Sequence, residues 1–478
     1  MGMGNGRSDG LSRRDFLKVA GVTVGTAGLL GQPGFADSGT GQEEDVARAS
    51  RRHPRSVLPE NASGTLRELQ EFIDEIPVID THEHLQPEQG RIESLQGRLD
   101  FSLLVSHYAN NDLDSAGISR SDREALFGKD ISVDRKWQIF APYWDKMKNT
   151  GYGWAVDLAV RGYYGLDGLS ANTYTELTGR IREEYRPGLY NRVFNAAGIE
   201  RAIVDINTEN VDRTLFSPAL RVDDYITISK PADMERFSRI NEKEVKSPKD
   251  ITEALQHLMK DWKQKRIPTA KSAMAYRRTL QVDHISEADA QRSLDILLTR
   301  GETDAIKSLQ DFIFHQILQA CSDQNMPIQI HTGILAGTNY GHLERTNPMH
   351  LCDALARYPR AKVSIFHAGY PWNREVAAMG KTYTAVYADL CWTHVISPIS
   401  ARTGLHEWLD AMPASKIFAF GGDYLVAECT YGHAVIARTN VGQVLAERVE
   451  SGRMSMGDAK QVAQMILREN ALHVFELQ

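Results

Sequence analysis

Pro77-Val78-Ile79-Asp80-Thr81-His82-Glu83-His84 is the stretch that decides how this chain is read. Apolar residues run into an acidic one, and two histidines then stand one apart, which at strand period puts both imidazoles on the same side of the chain. Two neutral nitrogens converging on one point is a metal-site geometry, although a surface loop holding two histidines is spelled the same way. A (β/α)8 barrel mounts its chemistry at the C-terminal ends of parallel strands. If this is the first strand of such a barrel, the pair sits at the active rim, and later strands should end in matching ligands.

Working outward, Leu66, Leu69, Phe72 and Ile73 have helical spacing, and Pro77 stops that helix just before the histidine strand. After His84 a long stretch lacks strand alternation but has helical segments, Asp134 to Met147 and Thr173 to Tyr185, and many aromatics, among them Trp137, Trp144, Tyr152 and Tyr164. A structureless loop of that length is improbable in a compact domain, so residues 97–198 are expected to form a mainly helical insertion covering the rim. Strand candidates then alternate with helices: Arg201–Asn207, Val222–Ile228, Ile267–Met274, Met326–His331, Ala361–His367, Thr384–Leu390 and Lys416–Asp423. With the first, they make the eight strands of a closed α/β TIM barrel, with no domain break inside residues 59–478.

The ends of the chain read differently. Ser12-Arg13-Arg14-Asp15-Phe16-Leu17-Lys18, an apolar Gly- and Ala-rich run to Leu30 and a small-residue exit at Ala36 resemble a twin-arginine export signal over residues 1–36. The apolar run is shorter than the roughly 20 residues a membrane span needs. Residues 37–58 read as a flexible leader, and the expected location is periplasmic or extracellular. A net charge of −7 supplies no basic field for phosphate backbones, so a small molecule is the expected partner rather than nucleic acid; a homo-oligomer is left open. Cys321, Cys352, Cys391 and Cys429 contain no Cys-x-x-Cys pair and read as small buried hydrophobes.

Four of the eight strand candidates end in imidazole or carboxylate: His82 with His84, His331, His367 and Asp423. Each histidine alone fits a hydrogen-bonded core residue, but their recurrence on one barrel face points to a divalent metal. At these residues, and in His331-Thr-Gly, Phe366-His-Ala-Gly-Tyr-Pro-Trp-Asn-Arg-Glu375, Val386-Tyr-Ala-Asp389 and Lys271-Ser-Ala-Met-Ala-Tyr-Arg277, the sequence resembles the amidohydrolase superfamily. The resemblance runs from about Pro77 to the C-terminus outside the insertion. It is to the amidohydrolase-related branch with uronate isomerases, aminocarboxymuconate semialdehyde decarboxylase and the nodulin/glutamine-synthetase-like fusions. It implies that His82, His84 and Asp423 bind the metal, that His331 is a further ligand, and that His367 lies beside the metal as a catalytic or substrate-polarising residue.

The chemistry of the residues agrees. A divalent ion with an open position acidifies bound water and polarises a carbonyl. Asp423 is placed to take the proton of that water, and His367 to stabilise an oxyanion or protonate a leaving group. Lys271 has two readings: carboxylated, bridging two metals as in binuclear superfamily members, or paired with a substrate carboxylate. Tyr276 and Arg277 beside it, and Arg374 after strand six, are candidate substrate-binding residues, since arginine grips carboxylates bidentately. The expectation is a metal-dependent hydrolase of a C–N or C–O bond in a small carboxylate-bearing molecule. Non-oxidative decarboxylation or uronate-type isomerisation is the alternative, and a ligand-binding barrel without turnover ranks third. Zinc is the expected metal, with manganese and iron fitting the same ligands, and one ion is expected rather than two.

Overall fold

The computed structural model describes residues 53–301, 306–339 and 341–477. The signal expected over residues 1–36 lies outside them. Eight parallel strands run in the order β1 to β8: Val78–Glu83, Ile199–Val204, Phe216–Arg221, Thr269–Ser272, Ile328–Ile330, Val363–Ile365, Val386–Asp389 and Ile417–Phe418. Every neighbouring pair is parallel, as a βα barrel requires. β8 is two residues long, and the segment after it closes the ring against β1: Thr81 N–H donates to Phe420 O (3.1 Å), Asp423 N–H to His82 O (2.7 Å) and His84 N–H to Tyr424 O (3.1 Å). β1 also carries register shifts between Val78 and Ile79 and between Asp80 and Glu83, irregularities of the kind that re-aim side chains at a barrel rim.

The third strand corrects the sequence reading. Val222–Ile228 was the expected strand, but Asp223–Ile226 is a short helix and β3 lies just before it. Pro218 inside β3 hides that strand from pattern reading, because proline has no N–H for a ladder; it pairs with Val204 on one edge, and the ladder to β4 begins at Ala219. The shift puts Arg221 at a strand tip.

The barrel floor is a small apolar cluster of Ile79, Ile203, Ala219 and Phe418, plugged by Ala471, Val474 and Phe475. At the same end Arg438, 1% exposed, donates to the carbonyls of Ile73, Ile76, Ala197 and Gly198, which end two helices just ahead of β1 and β2. Ile73 O also accepts Ile76 N–H (3.1 Å) and Gly198 O accepts Val78 N–H (2.9 Å), so the guanidinium shares these carbonyls with backbone donors and ties the two helix ends together. Residues 53–58, read from sequence as the end of a leader, are tied to the fold: Val57 N–H donates to Thr439 Oγ1 (2.9 Å) and Tyr431 O–H to Pro54 O (2.5 Å).

The β1-to-β2 connection is helical as expected, with Val133–Met147, Gly151–Leu158, Tyr174–Glu184 and Leu189–Ala197 its longest helices. It covers the C-terminal mouth. Tyr108 stacks on Trp392 at 4.5 Å, Tyr152 stacks on Tyr108 at 5.3 Å, and Thr338 from the β5 loop donates to Asp114 at 2.8 Å. Among the described residues no helix is long and apolar enough to cross a membrane.

Candidate metal centre

His82 stands in β1, His84 follows its last residue, and Asp423 comes from the segment that closes the ring. That segment is held on every side. Besides the bonds to His82 and His84, Gly422 N–H donates to Asp80 Oδ1 (2.9 Å), Tyr424 N–H to Glu83 Oε2 (2.9 Å), and His433 Nδ1 lies 3.1 Å from Gly422 O. Asp423 itself is left-handed, φ 61°, a conformation uncommon in a residue with a β-carbon and kept where the surroundings over-determine it. Gly422 must lack a side chain, because a β-carbon there would fall on Glu83 Oε1 and lie 3.0 Å from Asp80 Oδ2. Burial pushes Asp80 up to about 7 and Glu83 well above the ordinary carboxyl range, so this pair beneath the loop keeps a proton at neutral pH.

Hydrogen-bond roles show whether the residues fit a metal. His84 Nδ1 lies 2.8 Å from the backbone carbonyl of Asp205. A carbonyl only accepts, so Nδ1 carries the hydrogen and Nε2 of the neutral ring is bare. That nitrogen sits 3.0 Å from Oδ1 of Asp423. Burial raises the Asp423 carboxyl, but His84, His367 and His82 outweigh it and hold it well below the usual range, so the oxygen is anionic. Two electron-pair acceptors at this separation require a cation, either a ring proton or a metal. His82 Nε2 faces the same carboxylate at 3.8 Å and Asp205 Oδ2 at 3.7 Å.

A second confrontation lies on the other side of Asp423. His331 Nε2 is 2.9 Å from Ile334 O, and His367 Nδ1 is 3.1 Å from Cys391 O, so both outer nitrogens donate. The inner ones, His331 Nδ1 and His367 Nε2, are both bare and only 2.9 Å apart. Burial pushes His331 well below the usual imidazole range and His367 down to about 4, which disfavours a shared proton at neutral pH. A ligating histidine whose other nitrogen donates to a carbonyl is the usual outer-shell arrangement of a metal site. The donor set therefore fits a divalent ion, and two groups gather ligand atoms within 4.8 Å of one another: His82, His84, Asp423 and His367, Cys391, Asp423.

Next to these lies a charged wall the sequence reading missed. Asp205, just past the end of β2, accepts Arg221 Nε at 2.8 and 3.0 Å and Nη2 at 2.7 Å. Burial opposes ionisation of Asp205, but Arg221 and then His84 keep it well below the usual range. Lys271, at Arg221's register partner in β4, is 2% exposed with Nζ 3.8 Å from the centre of the Phe366 ring; burial lowers it to about 8. The sequence signal for this wall is an acid just past one strand and a base at the tip of the next, and Pro218 inside β3 hides it.

His82, His84, His331, His367, Asp423 and Lys271 thus come together at the barrel mouth. Tyr276 joins them: its ring is 4.6 Å from His331 and its hydroxyl accepts Ala336 N–H at 2.9 Å, bracing the β5 loop. Arg277 and Arg374 do not. Arg277 is exposed and donates to Thr227 Oγ1 (2.7 Å) and Asp224 (3.2 Å); Arg374, 82% exposed, pairs with Glu407 at 2.8 Å on an outer helix. Asp389, ending β7, accepts Cys391 N–H (2.9 Å) and the hydroxyls of Thr81 and Ser364 (both 3.2 Å), and burial raises it to about 7.

Residues 270–477 match the amidohydrolase family model, a span that includes Lys271, His331, His367 and Asp423. Protein fluG of Emericella nidulans is 26% identical over 220 residues, 43% of this chain, and the chain spans 25% of that relative's length. Among solved structures, the uronate isomerase of Thermotoga maritima superposes with a TM-score of 0.70 at 15% identity, covering 88% of this chain and 99% of the isomerase. The glucuronate isomerase of Caulobacter crescentus gives 0.69 at 17% identity, covering 89% and 98%. Eight parallel strands present histidine and aspartate side chains at one mouth, and the stretch from β4 to β8 is similar to the amidohydrolase family.

Proposed function

We propose that this enzyme is a metal-dependent hydrolase that opens a C–N or C–O bond of a small, carboxylate-bearing molecule. The observation that carries the reading is the ionised Asp423 carboxylate, facing bare imidazole nitrogens on both sides at the barrel mouth. When bound, a divalent ion polarises a substrate carbonyl and acidifies water, and zinc, manganese and iron all suit this donor set. His82, His84 and Asp423 would hold it, with His331 and His367 on β5 and β6 as further candidate ligands. Asp423 takes the proton of the attacking water at a carboxylate oxygen and returns it to the leaving group. His367, fixed through Nδ1 on the Cys391 carbonyl, turns a bare Nε2 to the mouth, where it would ligate an ion or accept a proton.

The substrate carboxylate is read to dock on Arg221 and Lys271. Asp205 engages Nε and Nη2 of Arg221, leaving Nη1 with Asp223 Oδ2 at 3.9 Å as its ion-pair neighbour. The stack of Tyr152, Tyr108 and Trp392 keeps bulk water from the mouth, which strengthens each of these electrostatic contacts. Uronate-type isomerisation is the second reading, because the same cationic wall suits a sugar acid and the barrel superposes on two uronate isomerases. We also read the action as extracytoplasmic, from the Arg13-Arg14 motif. The deciding experiment incubates metal-loaded enzyme with N-acyl amino acids, lactones and hexuronates. Release of acid or amine supports hydrolysis, while ketose formation without release, or CO2 evolution, overturns it.

A further inference from the structure

We propose that Cys391 is a metal ligand, its Sγ completing with His367 Nε2 and Asp423 Oδ2 a second cation subsite on the side of Asp423 away from His84. The inference rests on the metal-dependent reading and adds to it a soft ligand from just past the end of β7. Three observations carry it. The two oxygens of Asp423 are divided between neighbours: Oδ1 lies 3.0 Å from His84, and Oδ2 lies 3.8 Å from His367. The ligand atoms of His367, Cys391 and Asp423 lie within 4.8 Å of one another, and all three residues are buried. Beside the cysteine, His331 Nδ1 and His367 Nε2 lie 2.9 Å apart while the other nitrogen of each ring faces a backbone carbonyl, so both rings turn a ligand nitrogen to the same spot.

The local backbone fixes the thiol there. Cys391 N–H donates to Asp389 Oδ1 (2.9 Å), and the Cys391 carbonyl is engaged by His367 Nδ1 and by Thr393 N–H (2.7 Å). The next residue, Trp392, is left-handed at φ 62° and donates to Gly421 O (2.9 Å), which turns the chain sharply at the tip of β7. Gly421 makes room for Thr81 and for the Cys391 side chain, since a β-carbon there would lie 2.6 Å from Thr81 Oγ1 and 2.8 Å from both Cβ and Sγ of Cys391. Imidazole, carboxylate and thiolate together select a borderline ion, zinc or cobalt, over magnesium or calcium.

The test uses the full chain stripped of metal and titrated with Co(II), followed in the visible region for ligand-field bands and in the near ultraviolet for sulfur-to-cobalt charge transfer. The unaltered protein should take up two equivalents, and the charge-transfer band should grow with one of them. Cys391→Ser, nearly isosteric, should lose that band and bind the corresponding equivalent at least about 10-fold more weakly, the smaller of the losses seen when even outer-shell partners are removed. Cys352→Ser, altering the half-buried thiol, should keep both properties. Should Cys391→Ser fold poorly, Cys391→Ala is read in its place and should likewise lose the band. Ligand-field bands with no charge transfer, or a band that persists in Cys391→Ser, would overturn the thiolate ligand while leaving a metal enzyme. No cobalt uptake at all would instead overturn the metal-dependent reading, and this subsite with it.

Discussion

Replacing Arg221 with methionine tests the charged wall behind the metal centre. Asp205 is 2% exposed as a residue and accepts three hydrogen bonds from that one guanidinium, whose side chain is 16% exposed, so the pair is buried rather than superficial. Removing one member of a buried pair leaves an uncompensated charge and costs about 3–5 kcal/mol, against about 0–1 kcal/mol for an exposed pair. The pH dependence follows from the depressed Asp205 carboxyl. Its contribution is fully present above the unfolded value of about 3.9 and disappears as pH falls through the lower folded value. In Arg221→Met burial acts with its main opponent gone, the folded value rises, and the stability gap to the parent should narrow between pH 7 and pH 5 as Asp205 takes up a proton. Urea unfolding at both pH values, on metal-free protein, measures this. Arg221→Met with Asp205→Asn should recover much of the loss, because no charge is left stranded. A single variant within about 1 kcal/mol of the parent at pH 7 would show that the pair is solvated and refute the reasoning.

Replacing His82 and His84 together by alanine should abolish tight binding at the first subsite, since too few ligands remain; metal analysis of the purified variant checks this, and full loading would remove the assignment. Asp423→Asn keeps an oxygen for the metal but loses the base, so turnover per metal-loaded molecule should fall by about 10²–10⁴ while unfolding is little changed; an active, loaded variant would shift the proton-transfer role to His367. Arg13→Lys with Arg14→Lys should hold the protein in the cytoplasm, and fractionation showing normal export would exclude the twin-arginine signal. Gly422→Ala forces a β-carbon onto Glu83, so both thermal stability and metal affinity should drop; affinity equal to the parent's would mean that the loop has room to yield.

What could be read from the sequence followed from where each residue sits along its strand. His82, His84, His331, His367 and Asp423 all stand at or just beyond strand ends, and the C-terminal ends of barrel strands face one mouth whatever the loops do. Arg277 and Arg374 stand near such tips in sequence. Arg277 follows a turn that carries it to Asp224 and Thr227, and Arg374 begins an outer helix that carries it to Glu407, so neighbourhood along the chain did not become neighbourhood in space. Arg221 was lost for the opposite reason: Pro218 broke the pattern of the true strand, while Val222, Tyr225, Ile226 and Ile228 imitated one in what is largely a helical turn. The thiol of Cys391 read as a small hydrophobe because nothing in its spacing reveals that β7 and β8 bring it to Asp423.

The seam between β8 and β1 has a consequence for how the enzyme comes into being. The hydrogen bonds that shut the ring, from Asp423 to His82 and from His84 to Tyr424, are the same ones that set the ligand positions. Ring closure and assembly of the centre are therefore a single event, joining segments some 340 residues apart in sequence, as the bond between Asp80 and Gly422 measures. A chain stalled with its last strand undocked lacks Asp423 beside His82 and His84, so that ligand group is incomplete until the seam forms. The pairing of His82 and His84 with Asp423 is in this way a readout of finished folding, because it exists only once the first and last strands have met.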